Sequence, residues 1–241
     1  MSQTIPSFIS AASPKITVII PAYNEADSIG HVLAEIPKYV DEAIVVNNAS
    51  TDATPQAAAA GGATVLTENK MGYGHACLKG LAHIAKQESQ PDIVVFLDGD
   101  YSDDPAQLTE IVAPIIEGGF DMVIGARVKS HRENGSMTPQ QVFGNALACW
   151  LMKLLFKAHY TDLGPFRAIR YSSLLTLNMQ DTTYGWTVEM QLKALRNRLK
   201  YKEVAVNYKK RIGVSKVSGT LKGTIFAGVK ILGWIFKYSF K

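Results

Sequence analysis

Residues 96–105, FLDGDYSDDP, follow directly on Ile93-Val94-Val95 and run from Phe96-Leu97 into Asp98, Asp100, Asp103 and Asp104. A buried strand that ends in closely spaced carboxylates sets like charges where they repel, unless a cation lies between them. The bland alternative, a group of solvated loop acids, sits poorly immediately behind a five-residue apolar run. The stretch therefore predicts a buried strand with an end that calls for a cation.

Outward from this strand the chain alternates strand and helix. Residues 15–20, KITVII, read as a strand stopped by Pro21, and residues 27–36 as a helix ended by Pro37. A second strand over 42–46, a short helix over 55–60 closed by Gly61-Gly62, a third strand over 63–66 and a helix over 73–86 lead into the 93–97 strand. A helix over 106–117 and a fifth strand from Met122 follow. Short apolar strands without polar alternation suit a parallel sheet covered on both faces, and the order predicts a doubly wound, mostly parallel α/β fold. Ligands of such sheets bind beyond the carboxyl ends of the strands. Ala22-Tyr23-Asn24-Glu25, Asn47 to Asp52, Asp98-Gly99-Asp100 and Gly125-Ala126-Arg127 fall at those ends and should converge on one crevice.

With 241 residues, 47% of them hydrophobic, the chain can bury one large domain with at most an appendage, and bulk disorder is excluded. The net charge of +4 is ordinary solubility rather than polyanion recognition, so no nucleic-acid partner is expected. Cys77 and Cys149 show no metal-ligand spacing and read as buried thiols in a reducing compartment. Residues 1–14 lack the basic start and apolar core of a signal peptide and read as a flexible leader.

Single motifs have plain structural readings. Asn47 to Asp52 could be only a turn and a helix cap. Gly72-Tyr73-Gly74 echoes a dinucleotide fingerprint, but it follows the third strand and lacks the third glycine. Taken together, however, VIIPAYNEADSI, IVVNNASTDAT, FLDGDYSDDP and VIGAR resemble, in order and spacing over residues 15–128, the nucleotide-binding half of family 2 glycosyltransferases with the GT-A fold. TDLGPFRAIRY, YGWTVEMQLKA and RIGVSKVSG further resemble the polyprenyl (dolichyl) phosphate sugar synthases of that family.

The resemblance implies a catalytic domain over 15–219, with a nucleotide-sugar half (15–128) and an acceptor half (129–219). Asp98 and Asp100 correspond to the family's DxD motif: Asp100 binds Mg2+ or Mn2+, and Asp98 contacts the ribose or assists the metal. A hard divalent cation neutralises the departing pyrophosphate of a UDP- or GDP-sugar. Ser102 stands where some relatives place another metal-side ligand. Pro21, Ala22, Tyr23 and Glu25 border base and ribose, and Gly72 and Gly74 let backbone approach the nucleotide beside Lys70. Asn48 replaces a family aspartate and leaves the preferred base open, since an amide both donates and accepts.

A hydroxyl acceptor requires a general base, and Glu189 is the acid near the expected place; a phosphate acceptor needs cations instead. Arg127, Lys129, Arg132, Arg167, Arg170, Arg211 and Lys216 supply them, and Arg127, Arg167, Arg211 and Lys216, with Ser215, fall in the matched motifs. His131 reads as a loop residue. Residues 220–241 predict an amphipathic helix whose Lys222, Lys230, Lys237 and Lys241 form a stripe suited to a bilayer interface, with packing on the domain or a second subunit as the alternative. Residues 146–160 are a second amphipathic candidate.

The expectation is a metal-dependent, inverting hexosyltransferase, peripheral on the cytoplasmic side of a membrane, that moves sugar to a polyprenyl phosphate; a homo-oligomer stays open. Its alternatives are transfer to a lipid or glycan hydroxyl with Glu189 as base, and a non-catalytic nucleotide-sugar-binding protein. Nucleotidyl transfer is disfavoured because PAYNEADS occupies the place of that class's glycine-rich signature.

Overall fold

The computed structural model describes residues 13–213 and 221–239. Its centre is a seven-stranded sheet of order β3-β2-β1-β4-β6-β5-β7. These strands are β1 (Ile16–Ala22), β2 (Glu42–Asn47), β3 (Thr64–Thr67), β4 (Ile93–Phe96), β5 (Met122–Ala126), β6 (Arg167–Arg170) and β7 (Tyr201–Ala205). Strand β6 runs antiparallel to both β4 and β5, and the remaining pairs are parallel.

Successive residues of β1 alternate between two apolar layers. Ile19 packs into one core with Val46, Phe96 and Ile124, whereas Val18 and Ile20 pack into the other with Val45, Val95 and Val123. Both faces are covered, which is why the strands lack polar alternation. The second layer is closed by α1 (Ile29–Glu35), α2 (Thr54–Ala60) and α4 (Leu108–Ile116). The first is closed by α3 (Tyr73–Ile84), α5 (Pro139–Phe156), α6 (Tyr171–Leu177), α7 (Trp186–Arg196) and α8 (Leu221–Ser239). Cys77 and Cys149 are free and buried in this layer, and burial pushes the Cys149 thiol up to about 12.

Pro21 does not stop β1, which continues to Ala22 and pairs Pro21 with Val46. The ladder explains the tolerance. Ala22 O accepts from Asn48 N on the β2 side and Ile19 O accepts from Leu97 N on the β4 side. Pro21, like Ile19, thus faces β4, where pairing has ended at Ile19–Phe96 and the missing N–H costs no ladder bond.

The second amphipathic candidate, 146–160, overlaps α5, which begins earlier, in a Thr138–Gln141 capping box, and stops at Phe156 ahead of Lys157 in a left-handed conformation (φ 55°), so residues 157–160 lie beyond the helix. Cys149 and Met152 point inward while Phe143, Trp150, Leu154 and Leu155 are exposed. In α8, Trp234 and Ile235 are buried while Ile225, Phe226, Val229 and Phe236 are exposed. Within the expected lysine stripe, Lys230 is partly exposed but spends its charge on Asp181 at 3.1 Å. No helix among the described residues is long and apolar enough to cross a membrane.

Candidate active site

The carboxyl ends of β1, β2 and β4 enclose a cleft of about 220 Å³. Pro21, Ala22, Tyr23, Glu25, Asn48, Gly72, Asp98 and Asp100 line it, as the sequence anticipated, together with Met71, Tyr73, Tyr184 and Arg211. Local contacts hold the loops in register: Asn24 N donates to Ser50 Oγ, Thr51 N to Asn24 Oδ1, and Glu25 N to Thr54 Oγ1.

Asp98, Asp100 and Asp103 are the electrostatic centre. Asp98 Oδ1 and both oxygens of Asp103 are buried without a hydrogen-bond partner among the described residues. Burial, then the charge of Asp100, pushes the Asp98 carboxyl up to about 7. Burial, then Asp98 and Asp100, raises Asp103 well above the carboxylate range. Asp100 is differently placed. Its Oδ1 accepts from Ser102 N (2.9 Å) and Ser102 Oγ (2.6 Å), so Ser102 orients the carboxylate. Its Oδ2 meets Arg211 Nη1 at 3.0 Å, while Arg211 Nη2 donates to Glu25 Oε1 at 2.7 Å. Among the described residues no three carboxylate, thiol or imidazole groups form a ready metal cage. Two carboxylates are nonetheless a fitting set for a cation such as Mg2+, which keeps waters and takes its remaining ligands from phosphate. The orphaned buried carboxylate oxygens fit such a cation.

Several sequence assignments change. Asn48 uses both amide donors, to Glu68 O (3.1 Å) and Lys70 O (2.8 Å), and its Oδ1 accepts from Gly72 N (2.8 Å). From the cleft wall it braces the 68–72 loop, and an aspartate could not donate to those carbonyls. Gly72, in the cleft wall, and Gly74 also make room for neighbouring backbone: an added Cβ would lie 2.3 Å from Thr182 O and 2.0 Å from Asp181 O, respectively.

Arg167 is not in the crevice. It is fully buried on β6 and donates to the carbonyls of Gly164, Leu163 and Thr187, because β6 lies between two strands with both faces covered. Burial lowers its guanidinium to about 10. Glu189 cannot reach a substrate either. It is fully buried, pairs with Lys193 at 2.7 Å and accepts from Gln180 N and Asp181 N. Ser215 and Lys216 lie outside the described residues.

Arg127 stands at the end of β5 as expected. Asp162 grips it through Nε (2.8 Å) and Nη2 (2.6 Å), and its guanidinium lies 5.1 Å from the Tyr208 ring centroid. Despite their burial, the pair hold Asp162 below the usual carboxylate range and Arg127 above its ordinary value. Beside them a second cavity, of about 270 Å³, is lined by Lys129, Arg132, Asn145 and Thr161 and by Val142 and Ala146 of α5. Lys129 and Arg132 meet no carboxylate among the described residues; Arg132 Nη1 contacts Met137 Sδ at 3.1 Å. Arg211 was legible in RIGVSKVSG; Asp162 and Tyr184 stand in the matched TDLGPFRAIRY and YGWTVEMQLKA segments but were not singled out, and Met71 and Asp181 lie outside every quoted motif.

Residues 17–207 match the family model described as "Glycosyl transferase family 2". An uncharacterised glycosyltransferase of Mycobacterium tuberculosis is 33% identical over 217 residues, covering 90% of this chain and 95% of the relative. A dolichyl-phosphate hexose transferase of Haloferax volcanii is 28% identical, covering 84% and 86%. Among solved structures, glucosyl-3-phosphoglycerate synthase from Mycobacterium tuberculosis, in complex with Mn2+, UDP and phosphoglyceric acid, aligns with a TM-score of 0.76 at 23% identity over 95% of this chain and 79% of that one. The same enzyme with Mg2+ and UDP aligns at 0.72.

The sheet, its acidic β4 end and the flanking cleft are those of a GT-A fold. The chain belongs to glycosyl transferase family 2 and is a glycosyltransferase.

Proposed function

We propose that this enzyme transfers a hexosyl unit from a UDP- or GDP-sugar to a polyprenyl phosphate, with Mg2+ or Mn2+, at a membrane surface. The observation that carries the acceptor is the second cavity: two cations without carboxylate partners, Lys129 and Arg132, share it with the apolar residues of α5. Phe143, Trp150, Leu154 and Leu155 continue an exposed apolar surface along the same helix. A phosphate joined to a long hydrocarbon matches both halves; a small soluble phosphate would leave the apolar half unused. The dolichyl-phosphate transferase relative supports the same acceptor class.

Asp98 and Asp100 would hold the cation, which supplies charge neutralisation to the departing diphosphate. Glu25 and Arg211 orient the donor beside them, and Arg127, fixed by Asp162, presents a permanent positive charge in the wall of the second cavity. An ionised phosphate attacks without a general base, which agrees with the commitment of Glu189 to Lys193. In-line attack inverts the anomeric carbon. The exposed faces of α5 and α8 would rest on the bilayer.

The test is release of nucleoside diphosphate from UDP- and GDP-sugars with each metal, with and without a short polyprenyl phosphate, for wild type and Arg132→Ala. Release that depends on the lipid phosphate, with the lipid KM raised in the variant, is expected. Release that ignores the lipid phosphate overturns the acceptor.

A further inference from the structure

The wall of the donor cleft rests on a turn that the C-terminal helix holds. Gly74 N donates to Thr183 O (3.2 Å) and His75 N to Thr182 O (3.0 Å), so the start of α3, whose Gly72 and Tyr73 line the cleft, lies directly on residues 181–185. The same turn presents Tyr184 to the cleft. Asp181 organises it from within. Its Oδ1 accepts from Thr183 N (2.7 Å) and Gly185 N (3.0 Å). Its Oδ2 accepts from Trp234 Nε1 (2.6 Å) and pairs with Lys230 Nζ (3.1 Å), both on α8. Gly185 is required there, because a Cβ would lie 2.4 Å from Trp234 Nε1.

The Asp181 side chain is fully buried, and the donors around it decide its charge state. Burial alone would raise its carboxyl, but the Trp234 and Thr183 N–H groups and the Lys230 ammonium outweigh it and hold it below the usual range. An ionised buried carboxylate needs those partners, so loosening α8 leaves a charge that the turn must rearrange to satisfy.

We infer that Asp181 is a positioning residue for the donor site: through it, Trp234 and Lys230 of α8 set the turn that carries Tyr184 and buttresses Gly72–His75. The inference rests on the reading of the cleft as a nucleoside diphosphate site. It makes the C-terminal helix part of donor recognition, although no α8 residue is among the described residues that line the cleft.

The experiment titrates UDP and GDP, each with Mn2+, into the full chain by calorimetry and measures donor KM and kcat for wild type, Trp234→Phe, Lys230→Met, Lys230→Arg and Asp181→Asn. Trp234→Phe keeps an aromatic ring in the core and removes the indole N–H, so it stays folded where Asp181→Asn fails to. Loss of one hydrogen bond to a charged group predicts nucleotide affinity about tenfold weaker in Trp234→Phe and Lys230→Met, with donor KM raised in step and kcat at saturating donor within about twofold. Lys230→Arg restores the affinity. Unchanged affinity and KM in folded Trp234→Phe and Lys230→Met overturn the inference alone, as does a fall in kcat and melting temperature at constant KM, which marks a merely structural contact. Wild type that binds neither UDP nor GDP overturns the nucleotide reading and this inference with it.

Discussion

Arg211 and Asp100 meet at 3.0 Å at the carboxyl end of β4, and the same guanidinium reaches Glu25 from the β1 side. The loop carrying Arg211 is held over the acidic turn by two backbone bonds, Lys209 N to Ser102 O and Ile212 N to Asp100 O. One cation thus already compensates part of the aspartate cluster, and it does so across sequence separations too long for any local pattern to announce.

Asp100→Ala should reduce metal-dependent turnover at least about a hundredfold, as expected when a group that fixes transition-state charge is lost. It also relieves repulsion on Asp98, so the melting temperature should hold or rise. Turnover assays and thermal melts in chelator check the pair of outcomes; unchanged turnover would remove Asp100 from the site.

Arg167 and Arg211 should separate cleanly. Arg167→Lys loses the planar fork that satisfies three buried carbonyls and should destabilise the fold by about 2–5 kcal/mol. Arg211→Lys, on a partly exposed side chain, should shift melting by no more than a few degrees while raising donor KM. Denaturant melts and donor titration of both variants distinguish the roles.

Glu189→Gln should behave as a stability variant. It removes the carboxylate that neutralises the buried Lys193 ammonium and leaves it the Asn178 carbonyl, which costs about 3–5 kcal/mol, yet the protein that remains folded should turn over at close to the wild-type rate. A dead but fully stable variant would instead identify Glu189 as a general base.

Gly74→Ala should lower stability by about 1–3 kcal/mol, because the added methyl overlaps the Asp181 carbonyl. In a chain of this size that corresponds to a melting shift of about 2–12 °C, readable by calorimetry. Unchanged melting would show that the turn can retreat.

The Arg127–Asp162 pair predicts a specific acid response. Asp162 is depressed in the folded protein relative to about 3.9 when unfolded, so its contribution is complete above that value and is lost as pH falls through the lower folded value. The stability gap between wild type and Asp162→Asn should stay constant from about pH 8 to pH 5 and narrow below about pH 4. Urea denaturation across that range checks the sign.

What the sequence determined by itself was the order of strands and helices as far as β5, the mostly parallel α/β class, the acidic end of β4 and most of the residues that line the donor cleft. Each is written in contiguous residues: unbroken Val and Ile runs, Gly and Pro punctuation, and Asp98 and Asp100 placed immediately behind a strand whose end the fold makes a ligand site.

Only the tertiary structure decided which charged residues face that site. Arg167 and Arg211 stand in equally motif-like segments, but β6 is inserted between β4 and β5 and seals Arg167, whereas a returning loop brings Arg211 to Glu25, 186 positions away. The same holds for Glu189, closed off by Lys193, for Asn48, bonded to the 68–72 loop, and for Lys230, paired with Asp181. The physical reason is common to all five. A strand or turn is set by neighbours a few residues away, but a charged or polar side chain goes where burial and distant partners together make its free energy lowest, and those partners meet only when the sheet is assembled.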